Sequence, residues 1–235
     1  MKMNINIYHL IKGAQKATGL TVIIDVFRAF SVACYLFNNG TKKIIPVGEI
    51  ETAYQIKKNN PEFILIGERD GKKLPDCDYG NSPAEIENIN CNNKTIIHTT
   101  SAGTQGLVNA VNAEQIITGS FVNLGAIVSY IKKIKPDQVS LVCMGIAGKE
   151  PAAEDEYCAK FIKDRLKDKS PLKFEKIKLE LKKGEGAKFF DKNKPWFKER
   201  DFQLCMQLNQ FDFVLKAITG GEGEIYLKKL CNCSP

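Results

Sequence analysis

Residues 95–108 read TIIHTTSAGTQGLV. A β-branched apolar run leads straight into small and hydroxyl-bearing residues, and apolar residues at helical spacing follow. The pattern predicts a buried strand, a short loop and a helix, the repeating unit of an α/β fold. Thr99, Thr100, Ser101 and Thr104 offer hydroxyl donors, while Ala102 and Gly103 leave room for backbone N–H groups to approach a ligand. Such a loop at a helix N-terminus suits a phosphate or sulfonate, because unpaired N–H groups and the helix dipole both favour negative charge there. It equally suits a plain cap, in which the hydroxyls serve only the backbone. Neither Walker nor GxGxxG spacing is present.

Outward from this loop the same grammar recurs. TVIIDVFRAF (21–30) is a β-branched run ending at Asp25, with Arg28 at the start of helical spacing that Asn39-Gly40 stops. KKIIPVGE (42–49) and FILIGERDG (63–71) predict two further strands around a helix over 49–58, the second ending at Glu68 and Arg69. Gly80-Asn81-Ser82-Pro83 is a loop signal with Pro83 at a first helical turn. Downstream, AEQIITGSF (113–121) and VSLVCMGIAGK (139–149) predict strands again. The matching series suggests an internal duplication of a β-α-β-α-β unit, residues 20–90 and 94–165; chance similarity among short apolar strands is the competing reading.

Strands alternating with helices predict a three-layer α/β/α domain around a mostly parallel or mixed sheet, with residues 4–10 as an edge strand. Ligands in such sheets bind beyond the carboxyl ends of the strands. Asp25, Glu68, the segment from His98 to Gly103, Ser120 and Gly145 all fall there. Residues 152–166 predict a helix with Glu154, Asp155 and Glu156 in its first turn, where carboxylates complement the dipole or turn into the site. In the C-terminal part, 166–235, the pattern predicts a helix ended by Gly184, an irregular stretch anchored by Phe189, Phe190 and Trp196, and a helix over 200–210. Two strands joined at Gly220-Gly221 follow, the whole packed on the sheet of a single domain.

At 235 residues and 43% hydrophobic, the chain can bury a large core. It carries a net charge of +7, but its lysines crowd between Lys163 and Lys198, away from the hydroxyl loop. That run reads as a solvated face. No nucleic-acid module or aromatic interleaving accompanies it. No apolar run approaches the ~18 residues of a membrane span, and the first residues show no secretory pattern, so a cytoplasmic location is expected. The eight cysteines form no C-x-x-C pair and read as scattered buried thiols in a reducing compartment, with Cys231 and Cys233 a weak C-x-C. The two histidines, His9 and His98, are too few for a His-rich zinc site, and His98 adjoins the hydroxyl loop.

Carboxylates from several strand ends can hold Mg²⁺, which prefers oxygen ligands and keeps several waters. Arg28 can grip a phosphate or sulfonate with its planar fork, or form a structural ion pair with Asp25. Together such groups would neutralise a phosphoryl group, with an Asp as base or nucleophile. A non-catalytic receptor for a small anionic metabolite is the alternative. It gains nothing from acidic groups beside its ligand unless a metal intervenes.

The series DVFRAFS (25–31), GERDGKK (67–73), DYGNSPAEI (78–86), TTSAGTQGL (99–107), GSFVN (119–123) and AEDEYCA (153–159) resembles, in order and spacing, the 2-phosphosulfolactate phosphatase family. The resemblance implies Mg²⁺-dependent hydrolysis of 2-phospho-3-sulfolactate to 3-sulfolactate and phosphate, a step associated with coenzyme M biosynthesis. It implies Asp25, Arg28 and Glu68 as catalytic residues, and Asp25, Glu68, Glu154 and Asp155 as candidate metal ligands. It implies Arg28, Arg69, Asn81, Ser82, Thr99, Thr100, Gly103, Thr104 and Asn123 around the substrate, and Ser101 joins them as a hydroxyl of the same loop. Ala29-Phe30-Ser31, Ser101-Ala102-Gly103 and Pro151-Ala152-Ala153 depart from the family's usual residues, which leaves a related small 2-phospho acid as the substrate in play. Oligomeric state is left open.

Overall fold

The computed structural model describes residues 3–221 and 223–231. Cys233, half of the C-x-C pair, lies outside them.

The chain opens with β1 (Asn4–His9), α1 (Leu10–Lys16) and β2 (Gly19–Ile24), then α2 (Ala29–Asn38), β3 (Lys43–Pro46) and α3 (Ile50–Asn59). It continues through β4 (Ile64–Arg69), the two-residue β5 (Lys72–Lys73), α4 (Pro83–Ile86), β6 (Thr95–Thr99) and α5 (Gly103–Asn109). Next come β7 (Ala113–Gly119), α6 (Leu124–Ile134), β8 (Gln138–Cys143), α7 (Ala153–Leu166) and α8 (Phe174–Lys183). A 3-10 turn over Glu185–Phe190, α9 (Glu199–Cys205), β9 (Phe213–Thr219) and β10 (Ile225–Cys231) complete the described chain.

The strands form one mixed sheet in the order β1-β8-β2-β7-β9-β10-β3-β6-β4-β5. Alternation along the strands builds its two faces. On β2, Ile23 packs with α1, α2 and α5, whereas Leu20, Val22 and Ile24 pack with α6, α7 and α8. On β3, β4 and β6, Ile45, Leu65 and Ile97 pack with Ala53 of α3. The result is the expected three-layer α/β/α architecture with β1 at one edge. α2 is buried from Ala29 through Phe37, as its run of apolar residues requires of a central helix.

Two features differ from the sequence pattern. The C-terminal strands do not rest on the sheet but join it at its centre: β9 pairs β7 through Ile117 and Lys216, and β10 pairs β3 through Leu227 and Ile44. This hairpin separates two parallel groups, β1-β8-β2-β7 and β3-β6-β4. In the first group β2 lies between β8 and β7, and in the second β6 lies between β3 and β4, so strands of the segments 20–90 and 94–165 interleave in both. The helix expected over 200–210 ends at Cys205. Asn209 adopts φ 58°, and its Oδ1 accepts the Gly125 N–H at 2.7 Å in the first turn of α6.

Candidate active site

The carboxyl ends of β2, β4, β6 and β8 converge on one cavity of about 280 Å³. Its walls hold Asp25, Glu68, Asp70, Glu154 and Glu185 against two cations, Arg28 and Lys188. Asn81, Ser101, Gly145 and Phe197 complete much of the rest.

Each carboxylate is held in a different way. Glu68 accepts the Gly71 N–H at 2.7 Å on Oε2 and the Ser101 N–H at 2.7 Å on Oε1. The hydroxyl loop's first free amide is therefore taken by the protein's own anion. Asp25 accepts the Ala29 N–H at 3.0 Å, at the start of α2. Burial pushes the Asp25 carboxyl up to about 6; the Ala29 amide works against that, the charge of Glu68 adds to it, and the Gly103 amide and Lys188 oppose it. Asp155 is a clamp: Oδ1 accepts the Val26 N–H at 2.9 Å and Oδ2 the Gly145 N–H at 2.8 Å, tying the end of β2 to the end of β8. Burial, with Glu154 and Asp25 beside it, holds its pKa well above the ordinary carboxylate range.

Glu154 is the exception. It is 3% exposed and lines the cavity, and its Oε2 has no hydrogen-bond partner among the described residues. Burial pushes its carboxyl up to about 7, with Lys188 partly compensating. A buried carboxylate oxygen without a donor is costly unless a cation or proton satisfies it. Five acidic side chains against two basic ones would also repel an anionic ligand. This donor set, all oxygen, fits a hard divalent cation such as Mg²⁺. No three of these side chains bring ligand atoms within 4.8 Å of one another. The fit is therefore to an ion held by one or two carboxylates and water, as Mg²⁺ commonly is.

Arg28 reaches the cavity but does not pair with Asp25. Nη1 donates to Asp201 Oδ2 at 2.7 Å and to the Trp196 carbonyl at 3.0 Å, and Nη2 donates to the Gly71 carbonyl at 2.8 Å. Its guanidinium lies 4.9 Å from the Phe197 ring centroid. Gly71 is required at its position: φ is +79°, and a Cβ there would lie 2.3 Å from the Phe197 ring.

The hydroxyl loop divides. Ser101 and Ala102 line the cavity. Thr100 and Thr104 cap each other, the Thr100 N–H donating to Thr104 Oγ1 at 2.9 Å and the Thr104 N–H to Thr100 Oγ1 at 3.1 Å. Thr99 Oγ1 accepts from Arg69 Nη2, which also reaches the Gly48 carbonyl. Ser82 Oγ donates to Asp201 Oδ1 at 2.6 Å. Asn123 caps the 3-10 turn at Phe121–Asn123 and donates to the Phe213 carbonyl, away from the cavity. Thr99, Thr100, Thr104, Arg69 and Ser82 thus support the walls without lining them, and Asn123 does neither. Gly103 abuts Asp25, where a Cβ would come within 2.8 Å of Oδ2.

Asn81 does line the cavity. His98 stands behind it, Nε2 lying 3.1 Å from Asn81 Oδ1. Burial pulls the imidazole pKa down to about 4, so the ring is neutral at ordinary pH. With Nε2–H donating, Asn81 keeps its two amide hydrogens for a ligand.

Asp201, Lys188, Glu185 and Phe197 carry no motif, and the sequence pattern passed over them. The only signal was compositional: Asp201 lies in the first turn of α9, and Lys188 among the aromatics of an irregular stretch.

A mixed sheet between two helical layers, with an acidic cavity at the carboxyl ends of its strands, defines a three-layer α/β protein. The model of the 2-phosphosulpholactate phosphatase family matches residues 5–219, and the chain belongs to that family. Among its relatives, a probable 2-phosphosulfolactate phosphatase of Caldanaerobacter subterraneus is 34% identical over 85% of this chain and 88% of its own length. A protein of the same description from Bacillus subtilis is 30% identical over 86% and 89%. One from Thermotoga petrophila is 39% identical over 62% of each chain.

Proposed function

We propose that this protein hydrolyses 2-phospho-3-sulfolactate, or a closely related 2-phospho acid, to the hydroxy acid and inorganic phosphate with Mg²⁺ as cofactor. The observation that carries the reading is the unpartnered Glu154 Oε2 in a cavity with a strong excess of carboxylates. The family and the names of the relatives support the substrate.

Asp25 and Glu154 are the residues that would hold the ion. When bound, Mg²⁺ supplies the positive charge that lets a polyanion enter and that offsets charge building on the phosphoryl oxygens. The Lys188 ammonium and the Asn81 amide bind anionic oxygens of the substrate. Ser101 Oγ, which donates to Glu68 Oε2 at 3.3 Å, can turn its hydrogen to the substrate instead. Glu68, fixed by two amides, takes the proton of the attacking water as its oxygen bonds to phosphorus. The bond from phosphorus to the C2 oxygen breaks, and that oxygen leaves with a proton returned from the site or solvent. Free thiols at Cys34, Cys77, Cys91, Cys143, Cys158, Cys205 and Cys231 support a reducing, cytoplasmic setting. Among the described residues no helix is long and apolar enough to cross a membrane.

The test is phosphate release from 2-phosphosulfolactate by purified protein with and without Mg²⁺. Release should require the ion, stop on chelation, and vanish in Asp25→Asn and Glu68→Gln variants that keep wild-type circular dichroism. No release from any of a panel of 2-phospho acids would end the proposal.

A further inference from the structure

A second cluster lies on the far side of the first turn of α7. β1 and β8 are parallel neighbours with His9 and Cys143 in register, which sets the imidazole and the thiol side by side on one face of the sheet. Glu156 of α7 descends onto that face. His9, Cys143 and Glu156 bring one potential ligand atom each within 4.8 Å of one another, the only such group among the described residues.

His9 and Glu156 are close enough for an ion pair. His9 Nδ1 and Glu156 Oε1 are 2.7 Å apart, yet Oε1 is buried and has no hydrogen bond of acceptable alignment. Glu156 Oε1 therefore keeps lone-pair capacity for a cation. The Cys143 sulfur completes the third side from the interior, with Cys143 1% exposed, while half of the His9 side chain is open to solvent. The donor set differs in kind from that of the active site. One imidazole nitrogen, one thiolate and one carboxylate suit a borderline-soft tetrahedral ion, and Mg²⁺ does not favour sulfur.

We propose that His9, Cys143 and Glu156 form a binding site for a zinc-type divalent cation, with a fourth position open to water through the exposed His9 side. Binding exchanges the thiol proton for the metal: the S–H bond breaks, a metal–sulfur bond forms, and the proton leaves to solvent with no change of oxidation state. Burial, and then the charges of Asp155 and Glu156, hold the proton on the free thiol, and a cation's charge would work against them. The ion would staple β1, β8 and α7, and so fix the turn that carries Glu154 and Asp155. The site stands independently of the proposed hydrolysis.

Co²⁺ is the probe, because thiolate ligation gives it a strong near-ultraviolet charge-transfer band that oxygen ligands do not. Titration of the full chain in a reducing, non-thiol buffer should raise that band to a plateau at one equivalent. Zn²⁺ should erase it at stoichiometric amounts, and excess Mg²⁺ should leave it unchanged. Cys143→Ser should abolish the band. His9→Ala, an exposed position that tolerates truncation, should weaken Co²⁺ binding at least tenfold while circular dichroism stays native. Uptake of Co²⁺ without a thiolate band, a band that survives Cys143→Ser, or His9→Ala binding as tightly as wild type would each overturn the proposal.

Discussion

Arg28 and Asp201, 173 residues apart, form a 2.7 Å ion pair in which the side chains are 3% and 0% exposed. Asp201 is further held by the Ser82 hydroxyl and the Ala84 N–H. Arg28 is further held by two carbonyls. The pair therefore ties the loop after β2 to α9 and to the loop before α4. Removing one partner strands the other charge in the interior. Asp201→Ala should lower unfolding free energy by about 3–5 kcal/mol, read as a shift in urea midpoint at constant m-value. A loss below ~1 kcal/mol would mean that water reaches Arg28 once Asp201 is gone.

His98 makes stability depend on pH. Its pKa is about 4 in the folded protein against an ordinary 6.5. Between those values the unfolded chain binds a proton that the folded chain refuses. The contribution is thus complete above 6.5 and declines as pH falls toward 4. The shift corresponds to roughly 3 kcal/mol. His98→Gln should flatten the stability profile across that window, measured by denaturation at several pH values. An unchanged slope would show that other groups set it.

Glu154 and Asp155 are adjacent, yet they should fail in different ways. Asp155 holds two amides, so Asp155→Asn sets an NH₂ group against one of the two N–H donors and should cost about 1–3 kcal/mol. Glu154 holds no partner on Oε2 and sits among like charges. Glu154→Gln should leave the melting temperature unchanged or higher, while activity falls at least a hundredfold and the Mg²⁺ requirement rises. Equal destabilisation by both variants would contradict the separate roles.

What the sequence could show here was local. Asp25, Glu68 and Ser101 were legible because β-branched runs stop abruptly at polar residues, and in a layered α/β protein that is where ligands sit. The central hairpin was not legible. FDFVLKAI and GEIYLKKL alternate like any pair of strands, and their neighbours are fixed by single register pairs with β7 and β3 far away in the chain. Asp201 and Lys188 were hidden for a related reason: nothing in their own segments distinguishes a cavity wall from a solvated helix. Thr100 and Thr104 illustrate a true ambiguity. A hydroxyl four residues from another can serve a ligand or a backbone amide, and only the fold decides that they cap each other.

Gly103 offers a way to disturb the acidic cluster without changing any charge. A Cβ at this position would stand 2.7 Å from the Ala29 Cβ and 2.8 Å from Asp25 Oδ2, closer than such atoms approach in folded proteins. Either the start of α5 moves away from α2 or the Asp25 carboxylate turns. Alanine's better helix propensity, worth up to ~1 kcal/mol, works in the opposite direction. Overpacking of about 1–3 kcal/mol should outweigh it. Gly103→Ala should therefore lower the melting temperature slightly and reduce activity more than tenfold, with weaker Mg²⁺ activation because Asp25 has shifted. Gly221→Ala is the matched control, since nothing lies within 4 Å of its added Cβ. If Gly103→Ala kept wild-type turnover and Mg²⁺ dependence, Asp25 would not need its present position against α5, and its assignment as a metal-holding residue would fail.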